Sequence, residues 1–379
     1  PLFIFMGLVL EKTKIAENLI QDMNAMFNKT DSGLAISVVV VGALMAASTG
    51  IVGASVVTLG LLTYPVLIKN GYSPSIASGT ICASGTLGQI IPPSLVLILL
   101  ADVLSSSYQQ AQLNMGIFSP ETITIADLFL GAILPGLLLP IFYTIYLKTL
   151  KIKSVESIAN KKLSLLNIIY PLGLMFLVLG SIIFGIATPS EAAGIGALGA
   201  IFIGYSRNSL TKNILDNCVY DSIRLTSMVF MILIGAILFS LVFRGLGGEE
   251  VIHKLLVELP NDKMLTLIIV LVIMFILGFI LDFIEITFIV IPLIGPALFT
   301  LGFDPLWVGI LIALVLQTSF ITPPFGFSLF YLRGVLPKTV QTTEIYRGII
   351  PFLIIQVVLM ACVFMFPSLA TYLPELLLN

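Results

Sequence analysis

The segments ASGTLGQIIPPS (residues 83–94) and LQTSFITPPFG (residues 316–326) decide the fold, because each places two adjacent prolines inside a strongly apolar region. The two double prolines lie 231 positions apart. A polar patch lies about 40 residues before each double proline: STGIVGAS (48–55) in the first half and DFIEIT (282–287) in the second. Proline interrupts a helix because it lacks a backbone N–H. Paired interrupted segments in the two halves of a membrane protein predict a transport site built from broken helices.

The amino-acid composition places the chain in a lipid bilayer. Hydrophobic residues make up 58% and charged residues only 10% of the 379 positions, against about 25% charged in soluble domains. The apolar runs approach the ~20 residues that span the hydrocarbon layer, and the alternating strands of a barrel are absent. We therefore predict an all-α polytopic membrane protein. The net charge of −2, without a basic patch, argues against a nucleic-acid partner.

The residues that support catalysis or tight metal binding are too few for an enzyme. The three cysteines, Cys82, Cys218 and Cys362, have neither metal nor disulfide spacing, and His253 is the only histidine. A His-based zinc site or a Ser/His triad therefore has no partner for this histidine. We predict no enzymatic activity and no cofactor. A channel is a weaker hypothesis than a carrier, because two opposed hairpins suit alternating access.

The loop charges orient the apolar segments. The loop 148–162 is rich in lysine and is predicted to be cytoplasmic, whereas the loop 102–127 has no Lys or Arg and belongs outside. This topology requires two re-entrant hairpins that enter from opposite sides, which makes the repeats inverted. The apolar segments lie at 1–10, 33–47 with 56–68 (first hairpin), 76–101, 128–147, 166–186, 189–205, 224–243, 264–281 with 288–301 (second hairpin), 306–332 and 347–366.

The same pattern divides the chain into alternating scaffold and transport parts. The polar stretches 11–31 and 245–263 each precede a hairpin with helical spacing of apolar residues, so we predict interfacial arm helices, with solvated connectors as the alternative. The predicted parts are 1–32 (end of a scaffold helix and arm), 33–127 (first hairpin and broken helix), 128–263 (scaffold helices and second arm), 264–332 (second hairpin and broken helix) and 333–379 (C-terminal scaffold helix and tail).

Six strings in order carry a family resemblance across nearly the whole chain: PLFIFMG, TGIVGASVVTLG, ASGTLGQIIPPS, GAILPGLLL, ATPSEAAGIGALGA and TSFITPPFGFSLFYLRGV. Together they resemble the large membrane subunit of a TRAP (tripartite ATP-independent periplasmic) transporter. The strings TGIVGAS and SFITPPFGFSLFYLRGV are most similar to the branch labelled mannitol/chloroaromatic or fused-type.

The resemblance implies an elevator-type secondary transporter of the bacterial inner membrane that imports a small organic acid. It implies sodium as the coupling ion, a periplasmic substrate-binding protein and a small membrane subunit, separate or fused, with lipid around them. It also implies N-terminal scaffold helices before Pro1, so we expect the natural protein to extend further. The alternative is a stand-alone sodium/dicarboxylate-type symporter of the same architecture.

The candidate sodium and substrate ligands are the small, polar and proline residues of both patches and both breaks. Glycines permit turns that expose carbonyls, hydroxyls add oxygen ligands, and prolines leave nearby carbonyls without a donor. In the first half they are Ser48, Thr49, Gly50, Gly53, Ser55, Ser84, Gly85, Thr86, Gln89, Pro92 and Pro93. In the second half they are Asp282, Glu285, Thr287, Gln317, Thr318, Ser319, Thr322, Pro323 and Pro324.

Each candidate also has a structural interpretation. The glycines and serines also suit close helix packing. Asp282 is favoured as a functional carboxylate because charge inside an apolar segment is costly, with a hairpin-end carboxylate as the alternative; for Glu285 a structural or lipid-facing role is as strong. For the string TPSE (188–191) the structural role is favoured over the functional one. Thr188 and Glu191 have capping-box spacing around Pro189, which predicts a helix start rather than an ion site.

Overall fold

The computed structural model describes residues 1–13, 19, 22, 30–49, 52–152, 165–248, 250–252, 254 and 262–378, and within these residues every regular element is a helix. Five helices in the described part of the chain are long and apolar enough to cross a membrane: Val52–Lys69, Ile125–Thr149, Lys212–Gly245, Phe283–Thr300 and Thr342–Met365. The prediction of an all-α polytopic membrane protein is therefore confirmed. Most of the first predicted arm helix and about half of the second lie outside the described residues.

The first half contains α1 (Leu2–Lys12), a hairpin of α2 (Gly33–Thr49) and α3 (Val52–Lys69), and a helix broken into α4 (Pro74–Thr86) and α5 (Leu95–Asn114). The helices between the two halves are α6 (Ile125–Thr149), α7 (Leu165–Ile183), α8 (Pro189–Ser206) and α9 (Lys212–Gly245). The second half contains a hairpin of α10 (Lys263–Leu277) and α11 (Phe283–Thr300), a broken helix of α12 (Pro305–Ile321) and α13 (Phe327–Val335), then α14 (Thr342–Met365) and α15 (Ser368–Leu378).

The two halves repeat the same local signals. Ser73 caps α4 and Asp304 caps α12, and in both cases the next residue is a proline at the first helical position, where its missing N–H has no cost. The starts of α3 and α11, and those of α4 and α12, are each 231 residues apart. The predicted order of elements in each half is therefore present in the structure. The relative orientation of the halves stays a prediction.

Both broken helices are interrupted beside the predicted double prolines, and a serine hydroxyl crosses each break. Ser94 donates a hydrogen bond to the Gln89 carbonyl (3.1 Å), and Ser328 donates one to the Phe320 carbonyl (2.8 Å). These bonds satisfy carbonyls that the interrupted helix leaves without a partner. Both double-proline peptide bonds are cis.

Two predicted loop regions are helical instead. Helix α5 continues to Asn114, so residues 102–114 are not loop; their polar side chains misled the prediction, although Tyr108 packs edge-on against Phe299 of α11. Helix α9 has 34 residues and begins at Lys212, twelve residues before the predicted apolar segment 224–243. At 1.5 Å per residue it measures about 51 Å and exceeds the ~30 Å hydrocarbon layer. Its polar first turns therefore extend beyond that layer.

Helices α6 and α14 pack against the hairpins and broken helices, whereas α1, α7, α8 and α9 (the scaffold helices) pack mainly with one another. Helix α14 meets α4 backbone to backbone: a Cβ added at Gly348 would lie 1.8 Å from the Ser75 carbonyl oxygen. In the other half a Cβ at Gly131 of α6 would lie 3.1 Å from Leu306, the residue that corresponds to Ser75. We had assigned α6 and α14 to the scaffold. Their packing favours the transport part instead, and the division of the chain stays a prediction.

Candidate functional site

A cavity of about 380 Å³ lies where the two hairpins meet the scaffold helices. Its walls are the first turns of α3 and α11, the start of α5, Tyr331 of α13, and side chains of α1 and α9. We call it the central cavity. A larger cavity of about 550 Å³ lies between α1 and α9, but it has no acidic or basic side chain and no hairpin residue in its lining. Of these cavities, only the central cavity is lined by residues of both hairpins.

Three helix N-termini reach the central cavity. Val52 is the first residue of α3, Leu95 of α5 and Phe283 of α11, and all three line the cavity. The first N–H groups of a helix lack partners inside the helix, and the helix dipole gives this end a partial positive charge. Three such ends around one cavity favour an anion there without a buried arginine.

The two candidate carboxylates of the second hairpin form a capping pair at the start of α11. Asp282 Oδ1 accepts a hydrogen bond from the Phe283 N–H (2.7 Å), and Glu285 accepts one from the Asp282 N–H (3.1 Å). Thr188 and Glu191 make the reciprocal bonds at the start of α8, as predicted. The two acidic motifs thus share one local role. Only Asp282 also lines the central cavity.

Five predicted hydroxyls lie on the broken helices, and each donates to a carbonyl of its own helix. Typical distances are 2.6 Å from Ser84 to the Thr80 carbonyl and 2.6 Å from Thr318 to that of Leu314. The others are Thr86, Ser319 and Thr322. A hydroxyl that donates its proton keeps lone pairs that can accept a cation. These oxygens are compatible with ion binding, although none lines the central cavity.

Two buried amides at the helix breaks have no hydrogen-bond partner among the described residues. Gln89, in the first break, is 1% exposed, and Gln317, one turn before the second, is fully buried; neither the oxygen nor the nitrogen of either amide is paired. The buried hydroxyl of Thr287 is unpaired as well. An unsatisfied buried polar group costs about 1–3 kcal/mol. Such oxygens, in the elements predicted to hold sodium, fit a hard cation that takes oxygen ligands.

The other predicted residues have simpler surroundings. Ser55, Pro92 and Pro93 are buried, while Pro323 is partly buried and Pro324 exposed. A Cβ at Gly85 would lie 2.4 Å from a Val56 methyl, so this glycine permits contact between α4 and α3. The side chains of Ser48 and Thr49, and all of Gly50, lie outside the described residues.

Of the predicted ligands whose side chains the structure describes, only Asp282 lines the central cavity, together with the backbone of Gly53. Sequence reasoning missed Tyr331 and Phe320, which form aromatic walls of the cavity, and the α1 and α9 side chains opposite them. Tyr331 belongs to the last of the six family strings, and that was the one signal available for it.

The fold and the cavity define a multi-pass membrane carrier, and comparisons with known proteins agree. Two solved structures share the fold: the Alcanivorax borkumensis YdaH transporter (TM-score 0.65, 16% identity, 96% of this chain and 84% of that one) and Neisseria gonorrhoeae MtrF (TM-score 0.60, 13% identity, 96% and 79%). Residues 1–369 match the family described as tripartite ATP-independent periplasmic transporter, DctM component. The chain belongs to this family and is a large permease subunit of a secondary transporter, not an enzyme.

Several relatives align over nearly the whole chain. The C4-dicarboxylate large permease DctM of Rhodobacter capsulatus is 27% identical over 100% of this chain and 86% of its own length. The ectoine/5-hydroxyectoine permease UehC of Ruegeria pomeroyi is 26% identical (99% and 85%), and the isethionate permease DctMQ of Oleidesulfovibrio alaskensis is 24% identical (99% and 56%). The predicted family is confirmed, and the fused-type branch stays a prediction.

Proposed function

We propose that the chain is the sodium-coupled membrane subunit of an uptake system for a small organic acid in the bacterial inner membrane. Its relatives are named for C4-dicarboxylates, ectoine and isethionate, which are small molecules with a carboxylate or sulfonate group. A small membrane subunit and a periplasmic substrate-binding protein complete the system. The name DctMQ indicates that the two membrane subunits are fused in one relative.

The observation that carries this proposal is the convergence of three helix N-termini, at Val52, Leu95 and Phe283, on one cavity between the hairpins and the scaffold helices. The N-termini of α3 and α5 attract the anionic group of the substrate, whereas that of α11 is already capped by the Asp282 carboxylate. Asp282 repels an anion, so we assign it to the cation side of the site. The unpaired side-chain oxygens of Gln89 and Gln317, at the two helix breaks, supply further ion ligands.

Sodium coupling is tested by uptake into proteoliposomes that contain this chain and the small subunit, with the cognate substrate-binding protein added. Labelled succinate, ectoine and isethionate serve as probes. We expect uptake to require an inward sodium gradient and the binding protein. Equal uptake rates when potassium replaces sodium, measured without a proton gradient, would contradict sodium coupling. Full uptake without the binding protein would instead support the stand-alone symporter.

Asp282→Asn tests the assignment of the acidic residues. Asparagine caps a helix about as well as aspartate, so the start of α11 is kept while the charge is removed. We expect uptake to fall roughly tenfold or more, which corresponds to about 1.4 kcal/mol of lost ion binding. Glu191→Gln is the matched control, because glutamine also closes a capping box. Normal uptake by the Asp282 variant, or lost uptake by a well-folded Glu191 variant, would reverse the two assignments.

A further inference from the structure

Tyr331 joins the two halves of the chain at the wall of the central cavity. It lies on α13, just after the second break, and its ring lies against Gly53 at the start of α3. A Cβ added at Gly53 would be 3.1 Å from two carbons of the ring and 3.3 Å from a third. Three such similar distances mean that the ring presents its face to the glycine. The absence of a side chain at Gly53 allows this approach.

The same ring faces the space that a substrate would occupy. Tyr331 is 42% exposed and lines the central cavity together with Asp282. Its neighbour Leu332 is fully buried, so the backbone of α13 is held in place next to the ring. A tyrosine has an apolar face for packing and a hydroxyl that donates a hydrogen bond. The Tyr331 side chain is therefore both a wall and a donor for a small organic anion.

We propose that Tyr331, seated on Gly53, determines the size of the substrate that the central cavity accepts. This inference rests on the proposed function and adds a specificity-determining residue to it. The Tyr331 ring bounds the cavity on one side, and its phenol O–H donates to the carboxylate or sulfonate that the helix N-termini attract. A side chain at Gly53 pushes the ring into the cavity. Loss of the ring opens the cavity to longer acids.

The first test measures access to the cavity and needs no substrate. In a background without Cys82, Cys218 and Cys362, Val57, which lines the cavity, is replaced by cysteine and labelled with a small and a bulky maleimide. We expect Tyr331→Ala to raise the labelling rate with the bulky reagent at least tenfold and the rate with the small one far less. An unchanged ratio of the two rates would overturn the proposal. Tyr331→Leu replaces this variant if the alanine protein does not fold.

The second test asks whether the two residues act through each other. Gly53→Ala is expected to slow bulky labelling at least threefold in the native background and to have no effect once Tyr331 is alanine. Equal effects in both backgrounds would overturn the proposed contact. Two variants on α13, the helix of Tyr331, serve as controls. At Gly334→Ala no atom lies within 4 Å of the added Cβ, and Phe330→Ala removes an exposed ring next to Tyr331 in the sequence. Both are expected to label like the parent protein.

The third test uses uptake of labelled succinate against labelled adipate, a dicarboxylate with two more carbons. Tyr331→Ala is expected to shift the ratio of the two rates at least tenfold toward adipate, and Tyr331→Phe to keep the ratio while raising KM for both. A parent protein that transports neither acid with sodium would contradict the proposed function for dicarboxylates, and the labelling tests would still decide the role of Tyr331. Uptake with an unchanged ratio in Tyr331→Ala would overturn this inference alone.

Discussion

Replacing Gly348 by alanine tests the direct backbone contact between α14 and α4. Gly348 of α14 faces the first turn of α4, and an added Cβ would lie 1.8 Å from the Ser75 carbonyl oxygen and 2.6 Å from its carbon. Both atoms belong to the backbone, so no side chain can rotate away. An ordinary C···O contact is about 3.3 Å. The two helices must therefore separate by about 1.5 Å to admit one methyl group.

The magnitude follows from two opposing effects. Overpacking a rigid contact costs about 1–3 kcal/mol, and this contact belongs at the upper end because the backbone has to move. Alanine recovers about 0.5–1 kcal/mol relative to glycine within a helix. We expect a net loss of about 1–2.5 kcal/mol. At Gly235 of α9 the added Cβ has no neighbour within 4 Å, so only the gain remains.

The assay is thermal unfolding in detergent, followed by the loss of monodisperse protein. With about 2–4 °C per kcal/mol for domains of 150–250 residues, we expect the apparent Tm of Gly348→Ala to fall by about 2–10 °C. Gly235→Ala should show an equal or higher Tm than the parent. The reasoning is refuted if both alanine variants shift the Tm in the same direction by similar amounts.

Two further predictions concern motion and the second break. A cysteine pair at Glu11 and Thr58, whose side chains share a hydrogen bond of 3.3 Å between α1 and α3, should stop uptake when cross-linked. A pair at Gly295 of α11 and Ser107 of α5, where a Cβ added at Gly295 would lie 2.9 Å from the Ser107 Cβ, should not. Equal uptake by both cross-linked proteins would argue against sliding of α3 along α1. Gly326→Ala should lower the apparent Tm, because its Cβ would lie 2.5 Å from the Phe320 carbonyl oxygen within the break; an unchanged Tm would contradict this.

The elements of each half were predictable from the sequence because their signals are local. Ser73 with its following proline starts α4, and Asp304 with its following proline starts α12. The end of α5 was not predictable, since the string SSSYQQAQLN has the composition of a loop. The C-terminal part of α5 is stabilised by contacts outside this helix. A Cβ at Gly295 of α11 would lie 2.9 Å from Ser107, and Gln112 binds the Glu121 backbone through both amide atoms.

The site was only partly predictable, because its chemistry depends on which residues tertiary packing brings together. DFIE and TPSE have the same spacing of capping residues, yet of the four capping side chains, Asp282, Glu285, Thr188 and Glu191, only Asp282 lines the central cavity. Nothing in the four letters of each motif distinguishes the two places. Tyr331 lies 278 positions from Gly53 in the chain, and no periodicity relates the two residues. A single sequence identifies which residues are able to bind an ion, and the packing decides which of them meet.

The contacts between helices also indicate which parts can move together. Gly79 and Gly348 bring the backbones of α4 and α14 into direct contact, and such a contact has no side chains that can rearrange during sliding. Around the central cavity, α1 and α9 meet the hairpins through side chains such as Ile4 and Leu225. Side chains can exchange rotamers and partners on the timescale of domain motion, whereas interlocked backbones cannot. If the carrier works as an elevator, the sliding surface therefore follows α1 and α9, and α14 travels with the hairpins.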